Sequence, residues 1–381
     1  MKILYDSQIF DLQKTGGISR YHANLYKGCL NNNIDAQIGL LYSDNIYIKE
    51  INENIKPGFT EQEKFLYGLN FPHKKYAYKI YKNCVGPIKS SATLNQKYTD
   101  KLIQAGKFDI LHPTYYHSLY KKTRILKPIV ITIHDMIFES HPEYFQDIRI
   151  ISNKNEMINN SSAIISISNY TKEQILRFYP KLDESKIKVI HHGISLNIDL
   201  NKTKNTQKEN FLLFVGDRGG YKNFYRLIRA ISLLKSKDFK LICVGKEFNI
   251  NERLYIKFLN LENQIINVGR ITDSELEDLY MKAKAYISPS IIEGFGLPLL
   301  EAMKYLTPMI ISDIPIYKEI VEDYALYFNP LDENNIAETI DYAFNNEHLL
   351  LLNATNALSL IKKYSLENMI SETISLYNSI I

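Results

Sequence analysis

Cysteine is scarce in this chain, and the three present, Cys29, Cys84 and Cys243, form no C-x-x-C pair. That argues against a disulfide framework and a structural zinc site, and makes them packing residues of a reducing compartment. No apolar run reaches the ~20 residues that a membrane-spanning helix needs. Met1-Lys2-Ile3-Leu4-Tyr5 enters a strand pattern directly, without the look of a signal peptide, so a cytoplasmic location is expected. Neither sign of charge dominates: a formal net charge of +4 over 381 residues gives no reason to expect nucleic acid. Asp-x-Asp pairs and His/Cys clusters with ligand spacing are also missing, so no metal is expected. A dinucleotide-dependent oxidoreductase ranks low, because no Gly-x-Gly-x-x-Gly follows a strand with an acidic residue ~20 positions on.

What remains is an ordinary globular composition, 45% apolar and 23% charged, at a length that favours two domains. Short apolar runs alternate with helical patterns through both halves. In the first, Lys2 to Tyr5, Ala36 to Tyr42, Asp109 to His112, Ile129 to His134, Ala163 to Ser168 and Lys188 to Ile190 read as buried strands. In the second, Phe211 to Val215, Lys240 to Val244, Gln264 to Val268, Ala285 to Ser288, Met309 to Ser312 and Leu326 to Phe328 repeat the scheme. Amphipathic segments such as Ile18 to Leu30, Phe224 to Lys235 and Asp273 to Ala283 fall between them. Alternation of this kind predicts an α/β fold with parallel sheets covered on both faces. The polar segment Asn197 to Asn210 is the expected boundary, since it has too few apolar residues to bury a core.

The most informative stretch is Glu293-Gly294-Phe295-Gly296-Leu297-Pro298-Leu299-Leu300-Glu301, two carboxylates flanking a glycine-rich helix start. Pro298 suits a first helical turn, which puts Glu293 in the loop and Glu301 in the helix. Glycines let a ligand approach the backbone, and the helix start attracts phosphate oxygens, so the pattern outlines a sugar-nucleotide pocket. The lesser alternative is that Glu301 merely complements the helix dipole and that Gly294 to Gly296 make a tight turn. A second constellation, Val215-Gly216-Asp217-Arg218-Gly219-Gly220-Tyr221-Lys222-Asn223, lies between a strand and a helix. Arg218 and Lys222 are placed where two fixed cations would neutralise a departing diphosphate.

On these residues the chain resembles the retaining glycosyltransferases of family 4, whose GT-B architecture sets two facing Rossmann-like parallel-sheet domains about a cleft. Glu293 and Glu301 match the paired glutamates of that family, and Arg218 with Lys222 its phosphate-binding pair. Gly269-Arg270-Ile271 and Ser274 to Tyr280 resemble the segment bordering the nucleobase, and Ser288-Pro289-Ser290 the strand end before the glutamates. The likeness runs through most of the second half and is spottier in the first. It implies an acceptor domain over 1–200, a donor domain over 208–364, and a helix over 365–381 that crosses back to the first domain.

The same likeness assigns roles. His134, at the end of Ile129 to Ile133, would lie beside the transferred sugar. Together with Arg218, Lys222 and Glu293 it makes the expected catalytic set, Glu293 holding the sugar. Gly16, Gly17, Arg270, Ile271, Gly294, Phe295, Gly296 and Glu301 make the expected donor-binding set, Glu301 taking the ribose hydroxyls. His112, His117, His141, His191 and His192 also lie near strand ends and rank lower. Glycosyl transfer with retention is implied, the leaving phosphate oxygen assisting the incoming hydroxyl, with no cofactor beyond the nucleotide-sugar co-substrate.

The string Gly216 to Phe224 is similar to versions in bacterial polysaccharide mannosyltransferases that use GDP-sugars, which makes GDP-mannose or a related GDP-sugar the first choice. A UDP-sugar enzyme and a non-catalytic sugar-nucleotide-binding protein remain the alternatives. The acceptor implied is a glycan or lipid-linked saccharide of surface polysaccharide such as lipopolysaccharide. Residues 64–98 carry Lys64, Lys74, Lys75, Lys79, Lys82, Lys89 and Lys97 with no acidic residue, interleaved with aromatics including Phe65, Tyr67, Phe71 and Tyr76. This mixture suits an anionic lipid interface at the inner face of the cytoplasmic membrane, as well as a solvated helix face.

Overall fold

Burial on both faces explains why the strands are legible as apolar runs. The computed structural model describes residues 1–66, 69–116, 125–235 and 238–381. Its first domain contains β1 (Lys2–Tyr5), β2 (Asp35–Ile38), β3 (Ile110–His112), β4 (Val130–Ile133), β5 (Ala163–Ser166) and β6 (Ile187–Val189). The second contains β7 (Glu209–Val215), β8 (Lys240–Val244), β9 (Ile265–Gly269), β10 (Ala283–Ser288), β11 (Met309–Ser312) and β12 (Leu326–Phe328). Every residue of β4, β5 and β11 is buried, as parallel strands sandwiched between helices require.

In the first domain the orders are β2-β1-β3 and β4-β5-β6, joined through a parallel bridge between Leu111 and Ile129. In the second the order is β12-β11-β10-β7-β8-β9, all parallel. Each strand coincides with an apolar run picked from the sequence. Their ends differ where side chains replace the ladder: β2 stops at Ile38, because Asn95 Oδ1 then accepts from Leu41 N and Tyr42 N.

Between the domains the polar segment is not bare chain. Asp199 accepts from the N–H groups of Asn201 and Lys202 and starts a short helix, Leu200–Asn205, that buries Thr203. An N-cap of this kind contributes about 1 kcal/mol. The helix Phe224–Leu233 is held more conventionally, through buried Phe224, Leu227, Ile228 and Ile231 at helical spacing; each such side chain contributes about 1.5–3 kcal/mol on burial.

Three devices fix one domain against the other. Glu319 of the second accepts from Asn169 N and Tyr170 N, at the start of the helix Asn169–Phe178, and from His191 Nε2 at 3.0 Å. The hydroxyls of Ser168 and Thr171 both donate to the Gly294 carbonyl at 3.2 Å. Finally, the helix Leu366–Ser379 lies on the first domain, where Met369 and Tyr377 enter its core. The Tyr377 hydroxyl bonds Tyr5 at 3.0 Å and His112 Nδ1 at 2.5 Å.

Candidate active site

The order of the second sheet reverses between β7 and β10, and in open parallel sheets such a point leaves a crevice beyond the strand ends where ligands bind. The loops leaving these two strands are 216–223 and 289–296. Asn223 stitches them together. It sits at φ 58, a left-handed conformation that Asn tolerates, and its Nδ2 donates to Pro289 O at 2.9 Å and Pro330 O at 2.7 Å. Ile291 N donates to Tyr221 O at 2.8 Å. Lys222 is thereby held beside the other loop, with Nζ 2.5 Å from Glu293 Oε1. That oxygen also accepts from Ser290 Oγ at 2.7 Å.

Glycine is needed at both ends of the turn that follows. A Cβ on Gly294 would run into the His134 carbonyl oxygen, and Gly296 has φ +118 as the N-cap of the helix Leu297–Lys304. From the first domain, Gly17 faces the same helix start, a Cβ there falling 3.1 Å from Leu297 Cδ1. One turn into the helix, Glu301 Oε2 accepts from Tyr280 OH at 2.9 Å and Oε1 from Arg20 Nη1 at 3.4 Å. Burial raises the pKa of Glu301, and Arg20 and the Tyr280 hydrogen bond oppose that rise.

Arg218 lies deeper than Lys222. Its side chain is 3% exposed and bonded to Glu252 through Nε at 3.1 Å, while Nη2 donates to the Lys246 and Glu247 carbonyls. Phe224 and Phe248 lie over the guanidinium at 5.6 and 4.8 Å. The charge expected for a diphosphate is therefore compensated by a buried carboxylate, and only Nη1 has no partner. Glu252 belongs to a capping box with Asn249 that starts the helix Ile250–Phe258, and nothing in the local sequence ties it to Arg218.

Other members of the expected donor set lie at different depths. The Phe295 ring is a packing residue, 4% exposed and seated on His192 and Tyr364 at 5.2 and 5.9 Å. Arg270 is an exposed residue after β9, while Ile271 packs against the second-domain core. Gly16 precedes the helix Gly17–Asn31 as its N-cap.

His134 lies behind the Gly294 turn in a nest of imidazoles. Its Nδ1 is 3.4 Å from His192 Nε2, Tyr21 meets it edge-on at 5.2 Å, and its Nε2 is buried with no partner. Desolvation, then His192, His112 and Lys154, push its pKa well below the usual range, so it is a neutral ring with one hydrogen-bonding atom to spare. Burial takes His112 and His192 down to about 3. His191 pairs with Glu319 and His141 stacks on Tyr144; His117 and Tyr67 lie outside the described residues.

Two family models together span residues 67–358: glycosyltransferase family 4 over 67–198 and glycosyl transferases group 1 over 197–358. The chain is a glycosyltransferase of the GT-B fold, with a family 4 domain followed by a group 1 domain. Among relatives of this glycosyltransferase, the O-antigen chain mannosyltransferase RfbU of Salmonella typhimurium is 30% identical over 213 residues, which cover 55% of this chain and 59% of the relative's own length. The O-antigen chain mannosyltransferase B of Escherichia coli is 25% identical over 268 residues, covering 66% of this chain and 70% of that protein. In fold, the glycosyltransferase is similar to Anabaena HepE, crystallised in complex with UDP and glucose, at a TM-score of 0.73 and 17% identity, with 100% of both chains covered.

The sequence placed Ser290 and Tyr280 within motif segments but gave neither a partner, and it offered no sign of Arg20, Glu252 and Glu319. Ser290 stands three positions before Glu293, whose carboxylate it meets. Arg20 lies 281 residues from Glu301, and only the packing of the two domains brings them together.

Proposed function

We propose that this protein transfers mannose or a related sugar from a GDP-sugar to a saccharide acceptor of surface polysaccharide, with retention of configuration and without a metal ion. The observation that carries this reading is the arrangement about the helix start Gly296–Leu297. Lys222, Glu293 and Ser290 stand at one end and Glu301 with Tyr280 at the other, so an extended donor would have its diphosphate over the helix start. Lys222 stabilises the leaving diphosphate and Glu293 holds the sugar. His134, neutral with a free Nε2, accepts from or donates to a sugar hydroxyl. The name mannosyltransferase on both relatives favours mannose; a UDP-sugar is the second reading, supported by the UDP bound to the Anabaena neighbour.

The acceptor side is assigned to the first domain. A cavity of about 650 Å3 opens there, lined by Asp11, Tyr42, Asp44, Phe59 and Glu61 among others, a mixture of aromatic faces and carboxylates suited to sugar hydroxyls. Glu61 links it to the helix Lys74–Cys84 by accepting from Tyr78 OH at 2.7 Å and Lys82 Nζ at 2.9 Å. Around that helix Leu69, Tyr76, Ile80 and Val85 are 60–69% exposed beside the lysines, a surface for anionic lipid carrying the acceptor. Among the described residues no helix is long and apolar enough to cross a membrane.

Calorimetry with GDP, UDP and their sugar conjugates, followed by NMR of the product's anomeric centre, tests the transfer. GDP-selective binding and an axial product linkage from GDP-α-mannose support it, whereas UDP selectivity or inversion overturns it. Activity surviving EDTA supports metal independence. Co-sedimentation with phosphatidylglycerol vesicles but not phosphatidylcholine vesicles tests the lipid surface, and equal partitioning would exclude charge recognition.

A further inference from the structure

Arg20 leaves the first domain and ends among groups of the second. It lies three residues beyond Gly17 on the helix Gly17–Asn31. Nη1 is 3.4 Å from Glu301 Oε1, Nη2 is 3.7 Å from Asp273 Oδ2, and the guanidinium rests 5.8 Å from the centre of the Tyr47 ring. A cavity of about 410 Å3 runs between the domains beside it, walled by Tyr47, Ile271, Thr272 and Asp273. The chemistry assigned above to Lys222, Glu293 and His134 makes no use of this cation.

We propose that Arg20 is a positioning residue for the donor: it reaches across the cleft to keep Glu301 ionised and turned so that its carboxylate receives the ribose diol. The proposal rests on the reading of Glu301 as the ribose acceptor. Each carboxylate oxygen offers two lone-pair directions. Arg20 occupies one on Oε1 and Tyr280 one on Oε2, which leaves one on each oxygen, the spacing that two neighbouring hydroxyls need. The donor site then requires both domains, because its acidic anchor on one is held in its working state by a cation on the other.

Burial explains why the anchor needs help. Glu301 is 19% exposed, and desolvation favours its neutral form. The groups facing it are Arg20 and Tyr47 from the first domain, Asp273 and Tyr280 from the helix Asp273–Lys282, Tyr286 of β10, and Lys304 and Tyr305 beyond it on its own helix. Arg20 comes first among those that lower its pKa, ahead of Tyr280 and Lys304, and Asp273 works the other way. Without Arg20 the carboxyl stays protonated to higher pH and loses the contact that holds it turned toward the two hydroxyls.

The test measures donor KM, kcat and GDP and UDP affinity against pH in wild type, Arg20→Ala, Arg20→Lys, Glu301→Gln and the Arg20→Ala/Glu301→Gln double variant, with melting temperature as the folding control. Arg20→Ala is expected to raise donor KM about tenfold while kcat changes little. It should also move the acidic limb of kcat/KM to higher pH, and Arg20→Lys should restore part of both. The double variant should bind donor no worse than Glu301→Gln, since Arg20 acts through that carboxylate. If Glu301→Gln weakens donor binding while Arg20→Ala and Arg20→Lys leave KM and the pH profile in place, the proposal fails and the ribose reading stands. Unchanged binding in Glu301→Gln overturns both. Should Arg20→Ala not fold, the pH limb of Arg20→Lys decides: no displacement from wild type rejects the proposal.

Discussion

Behind the cleft the two domains are built from opposite materials. On the second-domain side are ion pairs, Lys222 with Glu293 and Arg218 with Glu252. On the first-domain side is a neutral nest, in which His22, His112, His134 and His192 pack with Tyr21 at ring distances of 4.8–5.8 Å. The contrast separates two tasks. A wall of paired charges can exchange partners with a charged ligand, because each partner has a counterion to fall back on. A nest of desolvated imidazoles supplies hydrogen bonds without charge inside the first domain. It also makes that domain sensitive to acid, since each ring is held in its neutral form.

The sharpest break in the comparison lies inside the charged wall, between its buried pair and its accessible one. Arg218→Ala leaves Glu252 uncompensated at 5% exposure, so it is expected to cost about 3–5 kcal/mol of stability, read by denaturant unfolding. A folded protein of native stability lacking only activity would restore the direct diphosphate role. Lys222→Ala should do the reverse, keeping the melting temperature and lowering kcat by about 10²–10³, measured at saturating donor.

Acid tests the neutral nest. His112 and His192 have pKa values of about 3 in the fold against about 6.5 in the unfolded chain. Between these values the unfolded chain binds more protons, so stability falls as pH is lowered from about 6.5 toward 3. The limiting slope is about 1.4 kcal/mol per pH unit for each ring. Denaturant midpoints across that window check it, and a flat profile would mean that the rings are protonated in the fold. The smallest expected effect is Gly296→Ala, where φ +118 and the nearness of Leu299 and Tyr317 put the cost at about 1–2 kcal/mol, with lost donor affinity at the helix start as its signature in titration.

The same contrast marks what was readable from sequence. Buried parallel strands such as Val130–Ile133 and Met309–Ser312 announce themselves, because both faces must be apolar. The Glu293 to Glu301 stretch was visible because turn, helix start and both acids are contiguous. Partnerships at long range were not: Glu252 lies 34 residues from Arg218, and the sequence shows two cations on one loop but not that one is claimed by a capping-box residue on the helix Ile250–Phe258. The histidine nest was equally hidden. Its members come from the helix Gly17–Asn31, from β3 and from the segments after β4 and β6, and no local pattern relates them.

The helix Leu366–Ser379 has a consequence for biogenesis. Tyr377 is fully buried among residues that include Tyr5, Cys29 and His112, so the strands of the first domain stay incomplete until residues 366–379, made after the second domain, have emerged. A nascent chain ending before residue 366 holds every strand of the second sheet yet lacks a wall of the first, which reverses the usual N-terminal-first order of maturation. Of the two domains, the one made earlier is therefore the one that waits, and the one a chaperone would have to shelter.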